Sequence, residues 1–63
     1  MKFIELINNK TGALFSVNTN HIVSIWSERD HTGTWDVTYC VDVLGDIYKK
    51  PISKESFLKL IQS

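Results

Sequence analysis

The sequence predicts a mainly β, α+β fold: a five-stranded, strongly curved antiparallel meander with one short C-terminal helix. Three observations predict it. In Trp35-Asp36-Val37-Thr38-Tyr39-Cys40-Val41-Asp42-Val43, large apolar side chains alternate without a break with small or polar ones. That is the period of a half-buried strand, whose successive side chains point to opposite faces. Clusters of Asn, Asp, Thr and Gly punctuate the chain as reversing loops do, and Phe57, Leu60 and Ile61 recur at helical spacing near the end.

The first strand runs from Lys2 to Asn8, with Phe3, Glu5 and Ile7 on one face and Ile4 and Leu6 on the other. Asn8-Asn9-Lys10-Thr11-Gly12 supplies residues that tolerate positive φ, so a hairpin follows. Its return strand is Ala13–Val17, with Leu14 expected to face inward. Asn18, Thr19 and Asn20 carry side chains that compete for backbone hydrogen bonds, which predicts a turn or a single helical turn. A third strand covers Ile22–Ser27. The polar stretch Glu28–Gly33 is the tip of a second hairpin leading into the long alternating strand, and Leu44-Gly45-Asp46 closes a third. Ile47–Lys50 is the fifth strand, ended by Pro51, which has no N–H for a ladder. In the final segment Ser53 is an N-cap and Glu55 lies where the helix dipole favours negative charge. Ile52 and Phe57 have the spacing of a hydrophobic staple, and Glu55 and Lys59 stand four apart in the favourable order.

Sixty-three residues make one domain, 1–63. A chain this short buries only about 60% of its unfolded surface and usually needs reinforcement. Cys40 is the only cysteine, so no intrachain disulfide forms; His21, His31, Cys40 and the carboxylates show no metal-ligand spacing. Neither metal nor cofactor is expected. Self-association is the expected reinforcement, with a stable monomer as the plainer alternative. A domain of this length has a radius of gyration of about 11 Å and a diameter of roughly 27 Å. Thr34–Leu44 fully extended would span roughly 36 Å, so the long strand either bends strongly or projects onto another subunit, burying Trp26 and Trp35. The expectation is that its bulky stripe is shielded by the curled sheet, the terminal helix and a second copy.

Seven basic and seven acidic residues cancel, which argues against nucleic acid as partner, because that affinity comes from neutralising several phosphates. No apolar run approaches the roughly 18 residues of a membrane span. The opening carries Glu5 within its apolar segment and lacks a small-residue cleavage site, so it does not read as a secretory signal; with a lone cysteine, the expected location is cytoplasmic.

Val17-Asn18-Thr19-Asn20-His21-Ile22-Val23-Ser24-Ile25, together with Pro51-Ile52-Ser53-Lys54-Glu55-Ser56 before a helix, resembles the small FlbD-like flagellar and swarming-motility proteins. Those carry a V-N-x-x-x-I-x-x-I segment and a V-x-E-S ending, and similar short sequences occur in bacteriophages and mobile elements. The chain departs from that pattern in its longer Ser27–Thr34 hairpin and its two tryptophans. The resemblance implies a bacterial or phage origin and a non-enzymatic regulatory role, with no catalytic residues to carry over.

The hairpin tip concentrates polar function, placing Glu28, Arg29, Asp30 and His31 between Trp26 and Trp35. Aromatics beside arginine are the mixture enriched at binding hot spots, so these six are the candidate protein-binding residues. The plainer reading makes the tryptophans core residues and the charges a solvated turn that blocks aggregation. The alternative is an oligomeric binder or sponge for a nucleotide-like anion, using Arg29, Lys49, Lys50, Lys54 and a stacking ring such as Tyr48; the plainer reading of that cluster is lysines protecting an edge strand. His31 with Asp30 or Glu28 lacks the nucleophile and oxyanion loop that hydrolytic chemistry requires, and Cys40 reads as an inert core thiol opposite the Trp35 and Tyr39 face. Asp36 and Asp42 share a strand face but stand about 20 Å apart, too far for one metal. The reading is therefore a non-catalytic interaction module, a regulator or inhibitor acting by stoichiometric protein binding as a homo-oligomer.

Overall fold

In the computed structural model, which describes residues 2–62, each strand-to-strand connection is organised by an Asn or Asp side chain at, or just after, the end of the strand before it. Strand β1 (Phe3–Asn8) ends on Asn8, whose Oδ1 accepts the N–H groups of Lys10 and Thr11 at 2.9 and 3.0 Å. Strand β2 (Leu14–Asn18) ends on Asn18, whose Oδ1 accepts from the Asn20 N–H at 2.9 Å and starts a 3-10 turn over Thr19–His21. Strand β3 (Ile22–Arg29) runs into Asp30, and strand β4 (Asp36–Asp42) ends on Asp42, whose Oδ1 accepts from Leu44 and Asp46. These are Asx turns, in which the side chain takes the place of a backbone acceptor. Gly45 completes the last one at φ +88°, a conformation glycine adopts without a Cβ penalty.

Strand β5 (Ile47–Lys50) stops at Pro51, and Ser53 caps helix α1 (Lys54–Gln62): its Oγ accepts from the Ser56 N–H at 3.2 Å. Phe57, Leu60 and Ile61 dock on the core together with Ile52, as the stripe and staple predict. Glu55 and Lys59 pair at 3.8 Å on the exposed side.

All strand pairs are antiparallel, in the order β2-β1-β5-β4-β3. A meander would place β2 beside β3. The β1–β2, β3–β4 and β4–β5 hairpins form as predicted, but β1 and β5 pair instead and leave β2 and β3 as the two edges. The Asn18–Ile22 connection reaches at most about 14 Å, whereas five strands laid flat put their edges about 19 Å apart. The sheet must therefore curl, and the chain's radius of gyration is 11.0 Å with extents of 34 × 26 × 17 Å. The β1–β5 seam is short, with Ile7 opposite Lys49 and Asn8 opposite Tyr48. Where Pro51 ends that ladder, the Lys50 ammonium donates to the Glu5 carbonyl at 3.4 Å.

The core lies on one face only. Ile4, Leu6, Val17, Cys40, Tyr48 and Phe57 form it, with Thr38 and Asp42 buried alongside. This reverses two expectations. On β4 the buried residues are Thr38, Cys40 and Asp42, so the helix covers the small-residue face and leaves the bulky stripe outside, with Trp35 66% exposed. The physical reason is space: small side chains under the helix admit the whole Phe57 ring, which is 0% exposed. Thr38 remains satisfied there because its hydroxyl donates to the Ile52 carbonyl at 2.8 Å. Leu14 likewise faces outward, at 68% exposure, since the inward position of its strand belongs to Val17. The overhang expected of the long strand is absent too: β4 holds seven residues, about 23 Å, because Trp35 belongs to the loop and Val43 to the turn.

Candidate functional site

Pairing β1 with β5 creates a feature invisible along the chain. Leu14 lies opposite Ile7, Ile7 opposite Lys49, Lys49 opposite Tyr39, and Tyr39 opposite Trp26. Paired residues share a face, so one row crosses all five strands on the side away from the helix. At its β3 end the Trp26 and Tyr39 rings stack, with centroids 5.5 Å apart and planes 9° from parallel. Trp26 Nε1 donates to Glu28 Oε2 at 2.7 Å, which holds the indole and the carboxylate together.

The β3–β4 loop faces the middle of this row, at Ile7, Lys49 and Tyr39. Asp30 builds that loop: its Oδ1 accepts from the Thr32 hydroxyl at 2.7 Å and from the N–H groups of Thr32 and Thr34, both at 3.1 Å. The Thr32 hydroxyl first, and those backbone donors with it, hold the Asp30 carboxyl below its ordinary value despite an opposing desolvation. The Asp30 N–H donates to the Trp35 carbonyl at 2.9 Å and closes the hairpin. Arg29 braces it, with Nε 3.3 Å from Asp36 Oδ1 and Nη1 donating to the Gly33 carbonyl at 3.3 Å.

Beneath the loop is an open cavity of about 380 Å³. Val37, Tyr39, Ile7 and Lys49 form its sheet side, and Arg29, Asp30, His31 and Pro51 its rim. A second depression of about 490 Å³ lies between the β1–β2 and β4–β5 turns, lined by Asn8 to Thr11 and Gly45 to Ile47. The Asn8 carboxamide oxygen there is already committed to its own turn.

Of the residues singled out from sequence, Arg29, Asp30 and His31 come together with Lys49 at the cavity, while Trp26 and Glu28 sit beside it on β3. Trp35 stands exposed at the end of the loop. It is no core partner of Trp26, whose ring neighbour is Tyr39. The proposed lysine–tyrosine cluster does not assemble. Tyr48 points into the core at 6% exposure beside Phe15, ring centroids 5.7 Å apart, and burial with nearby Asp42 and Asp46 pushes its phenol up. Lys49 and Lys50 alternate faces as strand neighbours must, and Lys54 is exposed on α1. Burial first, then Asp42, pushes the Cys40 thiol up to about 11, which suits an inert core residue.

Sequence reasoning missed Ile7, Val37 and Tyr39 as site residues. Val37 and Tyr39 were visible in the alternation, but their exposure follows from where the helix docks. Ile7 enters only through the β1–β5 pairing. Among the described residues no three His, Cys, Asp or Glu side chains gather to hold a metal ion, and no helix is long and apolar enough to cross a membrane. No family model, no curated protein and no solved structure matches this chain.

Proposed function

We propose that the chain is a non-catalytic protein-interaction module that works stoichiometrically, by occupying a partner's surface, and that it self-associates. The observation that carries this reading is the five-strand row Leu14, Ile7, Lys49, Tyr39 and Trp26 on a face without a covering layer, edged by the braced Arg29–Trp35 loop. Large apolar and aromatic side chains beside a loop carrying arginine make up the composition of binding hot spots. A half-exposed, mostly apolar row on so small a domain is a surface for another molecule. Cytoplasmic location and a bacterial or phage regulatory role, the latter drawn from the FlbD-like resemblance, belong to the same proposal.

A second reading has its own support: the cavity brings Arg29, His31 and Lys49, with the Asp30 carboxylate on the rim, to the Tyr39 ring, a polar, ring-floored setting in which Lys49 would meet a nucleotide-like anion. A different variant tests each reading. Arg29→Ala with Trp35→Ala alters exposed side chains, so circular dichroism should stay unchanged while capture of proteins retained by the wild type is lost. Equal capture by the folded variant overturns the interaction reading. Calorimetry across a nucleotide panel with wild type and Lys49→Ala decides the second: salt-sensitive heat that the substitution removes supports it, and no heat with the wild type eliminates it.

A further inference from the structure

The two edges of the sheet are protected very differently. Edge strands present unpaired backbone groups and are normally blunted by charges, proline or bulges. On β3 the register slips between Ile22 and Ser24, a bulge, and the strand ends in Glu28 and Arg29. On β2 the residues are Leu14, Phe15, Ser16, Val17 and Asn18, with no charge, proline or glycine and an unbroken register against β1.

The direction of the free groups on β2 follows from its hydrogen bonds. The Asn8 N–H donates to the Ala13 carbonyl, and the Thr19 N–H to the Lys2 carbonyl. Hydrogen-bonded pairs alternate along an antiparallel ladder, so residues 13, 15, 17 and 19 point their backbone groups at β1. Leu14, Ser16 and Asn18 point theirs outward.

From this we infer that β2 is a dimerisation edge, joined antiparallel to the β2 of a second copy about a twofold axis at Ser16. The inference rests on the self-association proposed above and names its surface. A second copy fits because the edge is complementary to itself. Centring on Ser16 opposes Ser16 to Ser16 and Leu14 to Asn18, and these are the residues whose backbone groups face out. The Asn18 carbonyl opens the 3-10 turn, which leaves about four new N–H···O=C bonds across the axis. Phe15, 42% exposed although it lies on the core side, would pair with the partner copy's Val17 and be covered. On the outer face Leu14 would meet the partner copy's Asn18, so the two outer faces join edge to edge with their rows offset by four residues.

Two substitutions at one position test this. In a hydrogen-bonded pair the Cα atoms lie about 5.5 Å apart, within disulfide reach, so Ser16→Cys should form a covalent dimer on mild oxidation. Glu28→Cys on the protected edge should not. Ser16→Lys opposes two like charges at the axis and should weaken dimerisation at least tenfold by sedimentation at unchanged circular dichroism; should that variant fail to fold, the cysteine pair decides alone. A wild type that stays monomeric at several hundred micromolar overturns both self-association and this edge. A dimer that survives Ser16→Lys, with no Ser16→Cys link, overturns the edge and leaves self-association standing on another surface.

Discussion

On the core side of the sheet, Leu6, Thr38 and Cys40 leave room for one large ring, Phe57, and these four side chains are sealed from water. On the outer side Trp26, Tyr39, Ile7 and Leu14 stand in a row with only their neighbours and a six-residue loop for cover. The usual expectation assigns the bulkiest stripe to the core; here the helix takes the face where it can approach closely. Close packing at native density, rather than total apolar content, selects the covered face. The stripe left outside is then available for a partner, so one alternating strand supplies both the core floor and the binding surface.

The largest test of this contrast pairs one substitution from each side. Phe57→Ala removes the largest fully buried side chain of the core and should cost about 3–5 kcal/mol. A domain of this size holds about 3–9 kcal/mol in all, so much of the chain would be unfolded at room temperature. Leu14→Ser on the outer face should change stability by no more than about 0.5 kcal/mol. Chemical denaturation of both variants checks this; comparable losses would mean that the outer row is a second core.

How much of this was legible beforehand divides along the same line. Element positions followed from local chemistry: the Asx residues at strand ends, Pro51 after β5 and the Ser53 cap all act within a few residues of themselves. The strand order did not follow, because β1 and β5 pair across some forty residues through a two-pair seam that no local pattern announces. The choice of face was also hidden. Alternation gives two stripes, and only the fit of α1 decides which one lies beneath it. The site inherits both gaps: Arg29, Asp30 and His31 could be found as a polar tip, but Ile7, Lys49 and Tyr39 join them only after the sheet has closed its order.

A smaller effect separates the two faces by pH. With the Cys40 thiol raised from 9.0 to about 11, the folded state holds a proton that the unfolded chain releases. That contribution is fully present below pH 9 and is lost as pH rises toward 11; its size is at most about 3 kcal/mol from two units at 1.36 kcal/mol each. Tyr48, raised chiefly by burial, acts in the same direction. Thermal melts from pH 8 to 11 should therefore show a steep alkaline loss in the wild type and a shallower one in Cys40→Ala. An iodoacetamide-resistant Cys40 in the native state is the matching chemical readout, and parallel alkaline profiles for the two proteins would show that the thiol is not sealed under α1.

At the outer end the sign is opposite and the effect local. The Asp30 carboxyl is held below 3.8 mainly by the Thr32 hydroxyl, with the Thr32, Thr34 and Trp35 N–H groups assisting. Its contribution to loop order is therefore present above 3.8 and disappears as pH falls through the lower folded value. The N–H protons that point at the carboxylate report on it directly. The amide shifts of Thr32 and Thr34 should titrate together with a midpoint under 3.8, and Asp30→Asn should flatten both. Because the loop touches the outer face and not the core, global stability should barely follow this titration. If unfolding were instead to track the Asp30 midpoint, the hairpin loop would be part of what holds the sheet together, and the division between a structural inner side and a recognising outer side would have to be redrawn around it.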